Sequence, residues 1–108
     1  MANKYNAEPT VSALCGRKFA SKAECRRGEE LCLLEKAGEI KDLQYQVKYV
    51  LSEKPRVTIT IDFKYIDYTT EYIPTNVHED TKGVLTRDFR TKLAWLKQKY
   101  NVDVILSR

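Results

Sequence analysis

The sequence predicts an α/β fold in which a helix, three strands, a second helix and a last strand follow one another along a single domain, residues 1–108. Three patterns carry this expectation. Apolar residues alternate with polar ones in LQYQVKYVL and RVTITIDFKYI, the period of two that a half-buried strand requires. Two other stretches, SKAECRRGEELCLLEKAG and RDFRTKLAWLKQKY, have helical spacing with capping residues at their ends. The links between the three strands are short, as in an antiparallel meander, whereas a helix precedes the last strand and implies a crossover to a parallel or mixed position. The order is αβββαβ, with a mixed sheet flanked by two helices.

A chain of 108 residues is long enough for one domain with a modest core and too short for two. Its 43% hydrophobic and 31% charged residues are the profile of a folded protein rather than a disordered one. No apolar run approaches a membrane span, and the start MANKYNAEPT lacks the apolar core of a signal peptide. The expected location is therefore the cytoplasm, with no membrane partner. Cys15, Cys25 and Cys32 cannot all pair within the chain, and with the single His78 they do not have zinc-finger spacing, so they are read as reduced. The net charge of +4, from 19 basic and 15 acidic side chains, is compatible with a polyanionic partner but does not by itself name nucleic acid.

The first 20 residues have a brief apolar alternation, Val11, Ala13 and Cys15, that suggests a small hairpin. Ser21 is the expected N-cap of the first helix. Cys25, Leu31, Cys32 and Leu34 are its apolar positions, and Gly38 is its C-terminal cap. Gly28 is a poor interior helix residue and would allow another backbone to come close. Leu43 to Leu51 forms the first long strand, and SEKP turns the chain. In the next strand Val57, Ile59, Ile61, Phe63 and Tyr65 make one apolar face. That leaves Asp62 in the middle of a β-branched strand, where aspartate has poor propensity. DYTTEYIPTN reads as a loop bounded by Pro74 and Asn76, and VHEDTK as a short strand ending at Gly83. Thr86 caps a helix whose apolar stripe is Phe89, Leu93, Leu96 and Tyr100. Asn101 ends it, and VDVIL is the last strand. Tyr45, Tyr49, Phe63, Tyr65 and Trp95 fall at core periodicities and are assigned to packing.

Within a strand, His78, Asp80 and Lys82 share one face and Val77, Glu79 and Thr81 the other. This phase matters because hydrolysis of a phosphodiester with a divalent cation needs oxygen ligands and a neighbouring cation or base. Asp62 and Asp80 on adjacent strands, with Lys82 beside them, supply those groups, and Glu24 joins them if the first helix packs alongside. Each residue also has a plain alternative. Glu24 is the last residue of the capping box Ser21, Lys22, Ala23, Glu24. Asp62 would pair with Lys64 or Lys82 across strands, and the arginines of the second helix would be solvated. His78 lies on the Asp80 face, which alone is weak evidence for a general base.

The strand-centre Asp62, the tripeptide Asp80, Thr81, Lys82 and the helical Glu24 resemble the motif of the restriction-endonuclease-like, PD-(D/E)XK nuclease superfamily. From KYNA at Lys4 to the last strand, the chain is similar to a family of small phage and prophage proteins of unknown function assigned to that superfamily. The phrases that match are FASKAE, LLEKAGEIKDLQYQ, DFKYID, EDTKG and TRDFRTK. Two positions depart from the pattern. Ile61 stands where the superfamily has proline before its first aspartate, and Val47 stands where the close family has proline after the glutamine.

The resemblance implies a restriction-endonuclease-like core, a DNA endonuclease of phage or prophage origin and a Mg²⁺ or Mn²⁺ cofactor. Asp62 and Asp80 would be metal ligands, Lys82 the catalytic lysine, Glu24 an assisting helical acid and Gln46 a further site residue. If the activity holds, Lys64, Arg87, Arg90 and Lys92 become expected contacts to DNA phosphates. A homodimer with an open sheet edge as interface is expected if both strands are cut. The rivals are a non-catalytic nucleic-acid-binding or phage assembly protein that kept the fold, and a structural subunit whose carboxylates only make ion pairs.

Overall fold

The computed structural model describes residues 8–69, 73–82 and 84–107. The expected strand end at Gly83, the KYNA phrase and residues 70–72 of the expected loop lie outside these. The elements in order are β1 (Thr10–Ser12), β2 (Arg17–Phe19), α1 (Lys22–Lys36), β3 (Ile40–Glu53), β4 (Arg56–Asp67), β5 (Thr75–Thr81), α2 (Arg87–Tyr100) and β6 (Val104–Ser107). β1 and β2 form a separate antiparallel hairpin, and the main sheet has the order β3-β4-β5-β6. β3, β4 and β5 pair antiparallel and β6 joins β5 in parallel. The sheet is mixed, and the helix between β5 and β6 makes the crossover that its position in the sequence implies. Among the described residues no helix is long and apolar enough to cross a membrane.

Local chemistry fixes the helix ends. The Ser21 hydroxyl accepts from the Glu24 N–H at 3.1 Å, satisfying one of the donors a helix start leaves open. At the other end Gly38 has φ 81°. The Gly38 N–H reaches the Glu35 carbonyl and the Glu39 N–H the Leu34 carbonyl, the paired bonds of a Schellman cap. Thr86 caps α2 through the Phe89 N–H, and Asn101 closes it in the left-handed region.

The two helices cover opposite faces of the sheet. Adjacent strand residues point opposite ways; Glu79 of β5 meets Arg27 of α1, whereas His78 bonds Tyr49, whose ring lies against Tyr100 of α2. Beneath α1, Phe19, Cys25, Leu31, Ile40, Phe63, Tyr65 and Val77 form one buried cluster. Beneath α2, Leu51, Ile59, Ile61 and Leu96 form another. The single apolar face expected for β4 is therefore divided: Phe63 and Tyr65 serve one helix and Ile59 and Ile61 the other, and the change falls at Asp62.

Two further expectations are corrected, and the expected hairpin is present. Gly28 is approached by a side chain, not a backbone, since a Cβ there would stand 2.6 Å from Cζ of Phe19. Trp95 lies outside the core, 37% exposed on α2, and Tyr100 is 42% exposed with its hydroxyl donating to the Val50 carbonyl. The hairpin that opens the described chain is part of the core, because Phe19 is among its largest fully buried side chains.

Candidate active site

Strand pairing determines where the acidic residues meet. The β4–β5 ladder runs from Asp67 opposite Thr75 to Phe63 opposite Glu79 and stops there, while β5 continues along β6 through Asp80 and Thr81. Where β4 leaves β5, two aspartate side chains take over the missing ladder bonds. The Asp62 N–H donates to Oδ1 of Asp80, and the Thr81 N–H donates to Oδ2 of Asp62, each at 2.9 Å. This reciprocal clasp explains why a poor strand former occupies the centre of β4.

Gln46 lies on β3 between the pairs Tyr45–Phe63 and Val47–Ile61, across from Asp62. Its backbone has φ 53°, a region that non-glycine residues rarely occupy and that stores strain at functional positions. Its side-chain amide donates to Oδ1 of Asp62 and to Oε2 of Glu24, both at 3.2 Å. The Glu24 backbone completes the Ser21 cap while its carboxylate turns inward to this amide. Glu24, Gln46, Asp62 and Asp80 thus form one connected polar group spanning α1, β3, β4 and β5.

Burial and crowding strain this group electrostatically. Glu24 is buried, and desolvation with the neighbouring charges of Asp62 and Asp80 raises its carboxyl to about 7. Asp80 is fully buried; desolvation first, then Asp62, raises it to about 6, against the opposing pull of the Asp62 N–H and Lys82. Its Oδ2 is buried with no hydrogen-bond partner. The nearest cation, Nζ of Lys82, stands at 3.4 Å and also lies 4.2 Å from the centre of the Phe89 ring.

Above these residues is an open cleft of about 1380 Å³. Glu24, Gln46, Asp62, Thr81 and Lys82 line it, with the hairpin and the start of α1 on one side and Thr86, Phe89 and Lys92 of the α2 region on the other. Asp80 lies beneath this floor. Among the described residues no group of three His, Cys, Asp or Glu side chains is drawn together around one point; the carboxylates are spaced by Gln46 and by backbone amides.

The structure thus brings together Glu24, Gln46, Asp62, Asp80 and Lys82. Lys92 lines the same cleft and pairs with Asp88 at 3.5 Å. Arg87 and Arg90 are exposed on α2 outside the cleft lining. Lys64 is set apart, because it lies opposite His78 in the β4–β5 ladder and lines a second hollow with Tyr49, His78 and Tyr100. His78 shares that hollow, bonded to the Tyr49 hydroxyl at 2.6 Å, and burial, aided by Lys64, lowers its pKa and favours the neutral ring. Glu79 points to the α1 side, where Arg27 binds it through two nitrogens at 2.5 and 3.0 Å and the Tyr65 hydroxyl donates at 3.0 Å.

Arg17 and Lys18 in the hairpin and Lys22 at the start of α1 also line the cleft. Sequence reasoning did not single them out, since the hairpin's periodicity is too short to orient its side chains.

A family model described as a protein of unknown function, DUF1064, matches residues 2–107. No curated protein and no solved structure matches the chain.

Proposed function

From the premise that the chain belongs to this family of unknown function, DUF1064, we propose that it is a divalent-metal-dependent DNA endonuclease with a restriction-endonuclease-like core. We read it as a phage or prophage protein that works in DNA processing, recombination or repair. The observation that carries the reading is the Asp80 carboxylate. A purely structural clasp accounts for its Oδ1, which holds the Asp62 N–H, but leaves a second oxygen fully buried with no hydrogen-bond partner and only the Lys82 ammonium at 3.4 Å beside it. Glu24 and Asp80, raised to about 7 and 6 by burial and by neighbouring carboxylate charge, that of Asp62 in both cases, are carboxylates that a divalent cation would stabilise.

Asp62 and Asp80 would hold Mg²⁺ or Mn²⁺, with Glu24 assisting; such an ion supplies Lewis-acid polarisation of the phosphoryl oxygen and lowers the pKa of water. Gln46 fixes the relative positions of the Glu24 and Asp62 carboxylates. Lys82 places its ammonium between Asp80 and the cleft, where it neutralises part of the acidic charge in the resting site and offers a cation to the phosphate of an entering backbone. Lys92, on the same α2 side of the cleft, is in position to contact a neighbouring phosphate.

The test is cleavage of supercoiled, linear, single-stranded and branched DNA with Mn²⁺, by the parent protein and by Asp80→Asn. The parent should cut at least one substrate, EDTA should stop it, and the variant should be inactive. Binding without cleavage of any substrate would favour the non-catalytic nucleic-acid-binding protein. Equal cleavage by the variant would detach the activity from this site.

A further inference from the structure

We propose that Arg17 forms a phosphate-binding subsite on the hairpin side of the cleft, taking a phosphate of the polynucleotide backbone other than the scissile one. The inference rests on the nuclease reading and extends it to how the substrate lies. Arg17 opens β2, and Phe19, two residues on, is fully buried against α1, so the backbone that carries the guanidinium is anchored. The guanidinium carbon lies 4.2 Å from the centre of the Tyr45 ring and 5.5 Å from that of Phe19. Both rings lie within cation–π distance and so restrict where the guanidinium can sit.

Arg17 is not neutralised where it stands. Among the described residues it has no carboxylate partner within ion-pair distance, and its Nε is buried without a hydrogen-bond partner. An arginine that only covered apolar surface would keep its polar head in water; this one is held against two rings with its Nε buried and unpaired. It lines the same cleft as Glu24, Gln46 and Asp62, and its charge pulls the Glu24 pKa down against the larger effect of burial. A planar, pre-oriented, unpaired guanidinium at the wall of an acidic cleft suits two phosphate oxygens. With Lys82 and Lys92 on the other side, the backbone would cross the acidic floor from the hairpin to α2.

The subsite can be read without cleavage, in EDTA, by fluorescence anisotropy of oligonucleotides with and without a 5′-phosphate over a range of salt. Arg17→Met keeps the stacked stem and removes the charge, and Arg17→Lys keeps the charge and removes the fork. Loss of one phosphate contact should reduce the slope of log affinity against log salt by about 0.7 to 0.9, so Arg17→Met should show a shallower slope than the parent. Arg17→Lys should keep the parental slope but bind several-fold more weakly. A slope change seen only with 5′-phosphorylated DNA would assign a terminal phosphate to the subsite, and one seen with both an internal phosphate. If Arg17→Met fails to fold in a thermal melt, Arg17→Lys decides, and parental affinity in that variant would overturn the proposal. A folded Arg17→Met with the parental slope would also overturn it, while leaving Mn²⁺-dependent cleavage by the parent intact. A parent that neither binds nor cuts DNA would remove the nuclease reading as well.

Discussion

The charged side chains in and beside the site differ in what each holds, so they should respond differently to substitution. Lys82→Ala should abolish cleavage while Mn²⁺ still binds, more tightly, because the competing ammonium 3.4 Å from Oδ2 of Asp80 is gone; calorimetry beside a cleavage assay checks both halves. Glu79 gives the contrast. It faces α1 and is itself buried, against a partly exposed Arg27 and the Tyr65 hydroxyl, and neutralising it weakens both contacts. Glu79→Gln should therefore melt lower yet bind Mn²⁺ as the parent does. Glu24 adds a pH signature. Its carboxyl is raised from 4.5 to about 7 on folding and that of Asp80 from 3.8 to about 6, so the folded chain holds these protons more tightly than the unfolded one. The stability they contribute is present at low pH and lost as pH rises through that window. The metal-free protein should melt higher at pH 5 than at pH 8, and Glu24→Gln should flatten that difference and reduce the Mn²⁺-induced rise in melting temperature. A variant with the full metal-induced rise would make Glu24 a helix cap alone. At this scale the sequence was informative where period two applied: it placed Asp80 and Glu79 on opposite faces. Gln46 was reached only through the family resemblance, because no local pattern announces its left-handed backbone.

The elements themselves were readable because caps and alternation are local. Ser21, Gly38, Thr86 and Asn101 bound the helices where their chemistry says they should. What pattern could not supply was long-range. The apolar residues of β4 alternate without a break, yet they change partner helix at Asp62, because β4 parts from β5 there and the clasp replaces the ladder. Lys64, named among the expected phosphate contacts, lies further along β4, opposite His78 and in the other hollow. Gly28 shows packing overriding propensity. Alanine would be favoured in the helix by about 1 kcal/mol, but its Cβ would meet the buried Phe19 ring at 2.6 and 2.8 Å, and overpacking costs about 1 to 3 kcal/mol. Gly28→Ala should lower the melting temperature, and Gly28→Ala with Phe19→Leu should recover part of the loss by making room. If Gly28→Ala alone stabilises the protein, the hairpin is not seated on α1 in this way.

For the molecule as a whole, the α/β architecture with a mixed four-stranded sheet and a helix on each face creates the cleft by parting β4 from β5 between the hairpin and α2. Basic residues from sequence-distant segments, Arg17, Lys18, Lys22, Lys82 and Lys92, border one acidic floor, an arrangement that the net charge of +4 could not reveal. DNA binding by the parent should accordingly be insensitive to sequence and fall steeply with salt, which anisotropy at two salt concentrations measures. Whether Asp62 and Asp80 together bind a divalent cation is read most directly by anomalous diffraction from a Mn²⁺-soaked crystal. One peak is expected, coordinated by oxygens of both aspartates, with the buried Oδ2 of Asp80, now beside the Lys82 ammonium, among them. Full soaking with no peak at this position, and both aspartates still engaged only in their backbone clasp, would contradict the proposed metal site.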